Sequence, residues 1–215
     1  MKKTLYSLML DDEVVRAVDL LAHRRGVSRS ALVNQILAEY AELTTPERRV
    51  GDVFRAIEAL MQPDTELVPF FAPNAMTMSL KSALDYKYRP TVKYEVQLYR
   101  GGAEDIGELS VVFRTQSAAL LGAMGAFFRL WKRLEDRYLA PRLGRAPDCA
   151  LYEGRFLRRI AMPNRDCSTD ELAQTISGYV RLFDRLMKDY LSGRLDEEAV
   201  EQRYAHYTKT APILI

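Results

Sequence analysis

The sequence has little cysteine, little histidine and no long apolar run. Its two cysteines, Cys149 and Cys167, do not form a CxxC pair, which argues against a disulfide framework or a zinc site. His23 and His206 each lack a second ligand at metal spacing. No stretch of about 20 apolar residues exists to span a membrane, and acidic residues from Asp11 onward break any resemblance to a signal peptide. We therefore expect a cytoplasmic protein without a membrane segment, a metal or another cofactor.

A strong net charge is also absent. With 31 Lys and Arg against 29 Asp and Glu in 215 residues, the formal net charge is +2, so no overall field favours nucleic acid or membranes. The sequence contains no nucleophile elbow, P-loop, dinucleotide-binding fingerprint or HExxH motif, and we expect no enzymatic activity. Hydrophobic residues make up 48% of the chain, which is enough for the core of one large domain or two smaller ones.

A short alternating segment followed by two helices is predicted at the N-terminus. Residues 3–10 alternate as a strand does. Asp11 suits the N-cap of a first helix, and Gly26 suits its left-handed end. Ser28 suits the N-cap of a second helix, whose apolar stripe extends to Tyr40. The two faces of the strand carry Tyr6, Leu8 and Leu10 on one side and Leu5, Ser7 and Met9 on the other.

This N-terminal segment cannot form a core by itself. Its strand has no partner within the segment, and its two short helices bury little surface. A two-fold dimer removes both problems, because two strands then pair antiparallel above four helices. The paired strands form a ribbon of the size that fits the major groove of DNA.

The most specific part of the pattern is the turn Gly26-x-Ser28-x-Ser30 between two apolar stripes. The whole pattern runs through residues 4–14, 21–22, 26–30, 32–33, 37 and 40. Over residues 3–43 it resembles the ribbon–helix–helix (Arc/MetJ/CopG-like) DNA-binding family. The resemblance implies a dimeric, sequence-specific transcriptional regulator, such as a repressor, that reads the major groove of double-stranded DNA with a two-stranded ribbon.

The resemblance also implies which residues contact DNA. The outward face of the strand would enter the groove, and the first residues of the second helix would bind a phosphate through their backbone N–H groups. Serine hydroxyls at that helix end would add hydrogen bonds, and nearby basic residues would supply charge. The residues implied are Lys2, Lys3, Leu5, Ser7 and Met9 on the strand and its approach, and Ser28, Arg29 and Ser30 at the second helix.

The groove face differs from the usual one of this family, in which polar or charged side chains read base edges. Leu5 and Met9 can contact only apolar groups such as thymine methyls, and residues 1–43 contain six basic and six acidic side chains. A second hypothesis is that the ribbon serves only for dimerisation, while the C-terminal domain binds a protein partner. A third, an antitoxin-type repressor, is disfavoured because the rest of the chain is long enough to form a folded domain.

The domain boundary is predicted at the helix break Thr44-Thr45-Pro46-Glu47. It divides the chain into a ribbon–helix–helix module, 1–45, and a C-terminal domain, 46–215, for effector binding or oligomerisation. The C-terminal domain is predicted to be mixed, with helices and an antiparallel hairpin or small sheet, so the fold class is α+β. Its predicted helices cover residues 46–61, 116–139, 168–190 and 196–207. Its predicted strands cover residues 91–100, 107–115 and 155–162. Residues 67–71 and 76–80 could also be short strands, and residues 140–150 are expected to form a loop.

Three further features of the C-terminal domain carry expectations. The basic clusters 142–145 and 155–159 could contact DNA phosphates or an acidic ligand, but we interpret them as solvated surface. The aromatic residues Phe127, Phe128 and Trp131 are interpreted as core. Small residues spaced three to four apart in the helix over 116–139 predict a face that another backbone approaches closely. The sequence leaves open the identity of an effector ligand or protein partner and any assembly above the homodimer.

Overall fold

The chain is α+β, as the sequence predicts. The computed structural model describes residues 5–41, 45–63, 65–71, 76–85, 89–101, 104–152, 154–163 and 165–215. Its helices are α1 (Asp12–Arg25), α2 (Arg29–Tyr40), α3 (Pro46–Met61), α4 (Ala118–Leu134), α5 (Ala140–Leu143), α6 (Thr169–Leu191) and α7 (Glu197–Thr210), and a π-helical turn (Glu135–Leu139) joins α4 to α5. Its strands are β1 (Val68–Phe71), β2 (Thr77–Ala83), β3 (Thr91–Leu98), β4 (Asp105–Phe113), β5 (Cys149–Tyr152) and β6 (Arg155–Ala161).

The chain divides into two compact units, Met1–Arg49 and Val50–Ile215. Helix α3 begins in the first unit and continues into the second. The sequence-based division into 1–45 and 46–215 stays a prediction.

The helices of the first unit begin and end at the residues that the sequence predicts. Asp11, with an extended backbone, precedes α1, although its side chain makes no capping hydrogen bond. Gly26 ends α1 in the left-handed conformation, with φ of 63°, which a residue without a Cβ adopts at little cost. Ser28 then caps α2 by accepting a hydrogen bond from the backbone N–H of Ala31 at 3.2 Å.

Residues 5–11 form no strand with any other described part of this chain. A strand is stabilised by hydrogen bonds to a neighbouring strand, and in a ribbon that neighbour belongs to a second copy. The strand predicted over residues 3–10 therefore stays a prediction. Lys3 and Thr4 lie outside the described residues.

An antiparallel sheet organises the second unit. Its strand order is β1-β2-β3-β4-β6-β5, and every neighbouring pair is antiparallel. Strands β3 and β4 bury the alternate residues that the sequence assigns to one face. Gly107 lies at an irregularity of β4, where an added Cβ would come within 2.1 Å of the carbonyl oxygen of Gln97, so this close approach of two strands requires glycine.

The core of this unit combines one face of the sheet with residues of α3, α4, α6 and α7. The ring of Phe128 on α4 stacks on that of Phe156 on β6 at a centroid distance of 5.0 Å. Tyr94 on β3 meets Phe183 on α6 edge to face at 6.1 Å. Burial of Phe127, Phe128 and Trp131 confirms their interpretation as core residues.

Three sequence-based expectations for the second unit need correction. The helix predicted over 116–139 leaves α-geometry at Glu135, where the π-helical turn begins. The segment 140–150, expected to be loop-like, contains α5 and the first residues of β5. The small-residue face of α4 meets no other backbone at Gly122, where an added Cβ would find no described atom within 4 Å. None of the described helices is both long and apolar enough to cross a membrane.

Candidate nucleic-acid interface

The turn between α1 and α2 leaves the residues that begin α2 exposed to solvent. Gly26 reverses the chain direction, and the N–H of Val27 returns to the carbonyl of Ala22 at 3.0 Å. The first four N–H groups of any helix lack an intrahelical acceptor, and the Ser28 hydroxyl occupies that of Ala31. Among the described residues the N–H groups of Arg29 and Ser30 have no hydrogen-bond acceptor, so this helix end can bind an anion.

The predicted DNA-contacting residues that the structure describes are all exposed. On the N-terminal segment these are Leu5, Ser7 and Met9, and at the start of α2 they are Ser28, Arg29 and Ser30. Lys2 and Lys3 lie outside the described residues. The two groups therefore remain accessible to a partner, and among the described residues no hydrogen bond or ion pair joins one group to the other.

An ion pair that the sequence analysis did not predict holds Arg29. Its Nε and Nη2 atoms donate to the two carboxylate oxygens of Asp19 on α1. Both side chains are about half exposed, and such exposed pairs contribute little to stability. The pair nevertheless neutralises part of the positive charge at the start of α2. Neither α1 nor α2 carries a pattern that predicts it, because the two residues lie ten positions apart on different helices.

Most of the apolar surface between residues 5 and 40 is uncovered. Ala22 and Leu32 are the buried hydrophobic residues of this described stretch. A folded monomer rarely leaves so large a share of its apolar side chains in water. The exposed large ones are Leu5, Tyr6, Leu8, Met9, Leu10, Val14, Leu20, Leu21, Val27, Ile36, Leu37 and Tyr40.

Comparison with protein families decides the nature of this segment. The family described as ribbon-helix-helix protein, CopG family, matches residues 7–44. These residues are a ribbon–helix–helix segment. The match confirms the resemblance seen in the sequence and supports, at the level of the family, a DNA-binding regulatory role. No curated protein and no solved structure matched the chain.

Outside the ribbon–helix–helix segment, the second unit contains a buried ion pair. Arg158 on β6 donates from Nε to both carboxylate oxygens of Glu135, at 3.0 and 3.3 Å, and neither side chain is more than 1% exposed. Tyr179 donates its hydroxyl to the same carboxylate at 2.6 Å, and Trp131 donates its Nε1 hydrogen to Tyr179 at 2.8 Å. Burial raises the pKa of Tyr179 well above its usual value, so its hydroxyl stays protonated and donates.

The guanidinium of Arg158 links further parts of the second unit. It lies 4.5 Å from the ring centre of Tyr179 on α6, and Nη2 donates to the main-chain oxygen of Ile215. Its Nη1 and the hydroxyl of Tyr204 are buried without an acceptor or donor among the described residues. These contacts tie β6 to the π-helical turn, to α6 and to the segment after α7.

Cys149 also belongs to this cluster. Its Sγ donates to Glu135 at 3.6 Å. Burial, followed by the nearby carboxylate, raises the pKa of the Cys149 thiol. Reactive cysteines have the opposite property, a lowered pKa that yields the thiolate, so the cluster has the features of a structural ion pair. Among the described residues no group of three or more His, Cys, Asp or Glu side chains could hold a metal ion.

The sequence contained two signals for this cluster. Arg158 lies two residues from both Phe156 and Ile160, so the period of a strand places all three on one face. The interpretation of 155–159 as solvated surface is wrong for Arg158, which is fully buried. Glu135 lies four residues after Trp131 and seven after Phe128, so the period of a helix places it on the same face as these two core residues.

Proposed function

We propose that the chain is a dimeric, sequence-specific DNA-binding transcriptional regulator, in which two copies pair their N-terminal strands into a ribbon that enters the major groove. The observation that carries this proposal is the uncovered apolar surface of the ribbon–helix–helix segment. One copy buries two hydrophobic residues of residues 5–40 and exposes twelve large ones. A second copy would cover this surface and supply the missing strand partner.

The exposure of the N-terminal residues supports a particular strand register. Leu5 is 96% exposed and Met9 is fully exposed, whereas Leu8 and Leu10 are 52% and 46% exposed. Because successive side chains of a strand point to opposite faces, this difference favours an arrangement with Leu5, Ser7 and Met9 toward DNA. Tyr6, at 82%, would be covered only in the dimer.

The proposed DNA complex has two kinds of contact, those to base edges and those to backbone phosphates. Ser7 is the one side chain on the proposed groove face of residues 5–10 that can hydrogen-bond a base edge, while Leu5 and Met9 offer apolar contacts. Ser28, Arg29 and the N–H groups at the start of α2 would hold a backbone phosphate. Lys2 and Lys3 would add charge near the backbone.

A second function has specific support. The apolar groove face and the Asp19–Arg29 pair favour a ribbon that serves for dimerisation only, with the C-terminal unit binding a protein partner. The two functions differ in one requirement. In the proposed DNA complex Arg29 exchanges its carboxylate partner for a phosphate, whereas dimerisation does not involve that exchange.

This exchange suggests the experiment. Affinity of the full chain for a random duplex is measured for Arg29→Gln and for Asp19→Asn at several salt concentrations. We expect Arg29→Gln to bind all sequences more weakly and with a flatter salt dependence. Asp19→Asn should bind more tightly, because it releases Arg29 for a phosphate and removes a repelling charge.

Glu39→Gln is the matched control, because it changes the net charge as Asp19→Asn does but lies near the other end of α2, away from Arg29. A gain for Asp19→Asn that exceeds the gain for Glu39→Gln supports a phosphate at Arg29. Equal gains would attribute the effect to net charge alone. Absence of binding by the unmodified chain and by every variant would favour the dimerisation function.

A further inference from the structure

The outward face of residues 5–10 carries two large apolar side chains. Leu5 is 96% exposed and Met9 is fully exposed, and Ser7 between them is exposed as well. Residues 5–10 contain no charged side chain. Large apolar side chains grouped at a surface mark a contact site, so the chemistry of Leu5 and Met9 defines what this face binds.

The major groove of DNA offers an apolar side chain one kind of matching group. Every base pair presents hydrogen-bonding atoms there, but only the A·T pair adds a methyl group, on C5 of thymine. An apolar side chain against a G·C pair covers polar atoms without replacing their hydrogen bonds to water, which is unfavourable. Against thymine, the same side chain removes a methyl group from water, which is favourable.

The spacing of the two side chains lets each contact a different base pair. Leu5 and Met9 are four residues apart, which is about 13 Å along an extended strand, and successive base pairs are about 3.4 Å apart. In the proposed two-fold ribbon the second copy repeats the pair, so four apolar side chains would lie in one groove. Their contributions would add over several base pairs and produce a preference for base composition.

We propose that the ribbon recognises the C5 methyl groups of pyrimidines. The chain then prefers A·T-rich DNA, and it also binds more tightly where cytosine carries a C5 methyl group. Leu5 and Met9 are the specificity-determining side chains, and Ser7 adds a hydrogen bond to a base edge between them. This inference rests on the proposed DNA-binding function, because it names the DNA that the same groove face selects.

Two pairs of duplexes of equal length and charge isolate the methyl group. The first pair is alternating A-T DNA and the same duplex with deoxyuridine in place of thymidine, which lacks the C5 methyl groups. The second pair is alternating G-C DNA and its 5-methylcytosine form. Affinity of the full chain for all four duplexes is measured at one low salt concentration. We expect the methylated member of each pair to bind more tightly, by about fourfold for each methyl group buried.

The double substitution Leu5→Asn and Met9→Gln replaces both apolar side chains with uncharged amides of similar size. It should abolish the methyl preference in both pairs. Its melting temperature should match that of the unmodified chain, because both side chains are exposed. Arg29→Gln is the control, because a phosphate contact carries no base information; it should weaken binding to all four duplexes and leave the methyl preference unchanged.

Four results would overturn the inference. Equal affinity for the two members of each pair would exclude the methyl groups as determinants. A preference that persists in the double variant would come from the stiffness of the duplex, which proteins sense without contacting the bases. A large fall in the melting temperature of the double variant would place Leu5 and Met9 in a protein interface. Absence of binding to all four duplexes would refute the proposed DNA-binding function as well, which the other three results would not.

Discussion

At the scale of single residues, burial divides the arginines of β6 into two classes. Arg155 and Arg159 are partly exposed on one face of the strand, with Arg159 paired to Glu108 at 2.8 Å. Arg158 points to the opposite face and is fully buried against Glu135. Removing one partner of a buried pair leaves an uncompensated charge in the core. When one partner of an exposed pair is removed, water solvates the charge that remains. The two classes should therefore differ sharply in their effect on folding.

The substitution Glu135→Gln tests this difference. It keeps the size of the side chain but leaves the Arg158 guanidinium buried without a counter-charge, so the free energy of unfolding should fall by about 3–5 kcal/mol. Urea unfolding of the full chain measures it. Glu197→Gln is the control, because it removes the carboxylate of the exposed Arg133–Glu197 pair and should cost less than about 1 kcal/mol. Similar losses for both would contradict the buried-charge argument.

Met9→Lys tests the strand register at the same scale. If Met9 faces DNA, the added charge should strengthen binding to all sequences and leave the melting temperature nearly unchanged. If Met9 instead lies in a protein interface, an unpaired ammonium there should destabilise the dimer by several kcal/mol. Melting temperature and DNA affinity of the same preparation distinguish the cases, and a large fall in melting temperature would reject the register proposed here.

At the scale of elements, capping residues and periodicity were sufficient to predict most helices. The predicted third helix, from Pro46 to Met61, agrees with α3 at both ends, and Ser168 caps α6 as expected. Strand β5 was not predicted, because its four residues are too few to show the alternation of a strand and follow a stretch that contains proline and glycine. The groups of the buried cluster come from separate elements, and only the folded chain brings them together. The apolar stripes of α1 and α2 were predicted, and the second copy proposed to cover them is not part of a single chain.

The N-terminus of α6 makes a pH-dependent contribution to stability. The Glu171 carboxylate accepts hydrogen bonds from the Ser168 N–H at 2.9 Å and from Arg165 at 2.7 Å. These two hydrogen bonds, of which that from Arg165 has the larger effect, lower the pKa of Glu171 to about 2. Its folded pKa lies below the ordinary value of about 4.5. The stabilisation is therefore fully present above pH 4.5 and is lost as the pH falls toward 2.

Melting temperatures of the unmodified chain and Glu171→Gln should thus differ at pH 6 and converge near pH 2. Asp170→Asn is the control, because Asp170 shares the first turn of α6 and the helix dipole but has no part in the capping box. If Asp170→Asn changes the melting temperature at pH 6 less than Glu171→Gln does, the pH dependence comes from the capping contacts. A difference for Glu171→Gln that persists unchanged at pH 2 would contradict the lowered pKa.

At the scale of the whole molecule, the two units expose apolar surface to different degrees. Large exposed hydrophobic residues concentrate before residue 41, whereas the described part of the second unit exposes Val68, Leu151, Tyr152 and Met162. This distribution places the proposed dimer interface in the ribbon–helix–helix segment. The second unit has a core of its own, built from the sheet and four helices, so it does not need a second copy to bury its apolar residues.

One pair of substitutions tests which unit contains the dimer interface. Leu37 on α2 and Val68 on β1 are both 53% exposed in a single copy. Leu37→Asp should dissociate the dimer, because the carboxylate would be buried without a partner in the interface. Val68→Asp should leave the dimer intact. Sedimentation velocity of the full chain gives the result, and the opposite pattern would move the interface to the second unit.

The central claim, that the ribbon of a dimer binds DNA, is tested most directly by the retention of the full chain on random duplex DNA as salt is raised. A protein that neutralises phosphates releases counterions, so the logarithm of the binding constant should fall linearly with the logarithm of salt concentration, with a slope near −0.9 for each phosphate contact. The account predicts measurable retention at about 50 mM salt and a steep loss by about 200 mM. Absence of retention at the lower concentration would contradict it and leave dimerisation as the role of the ribbon–helix–helix segment.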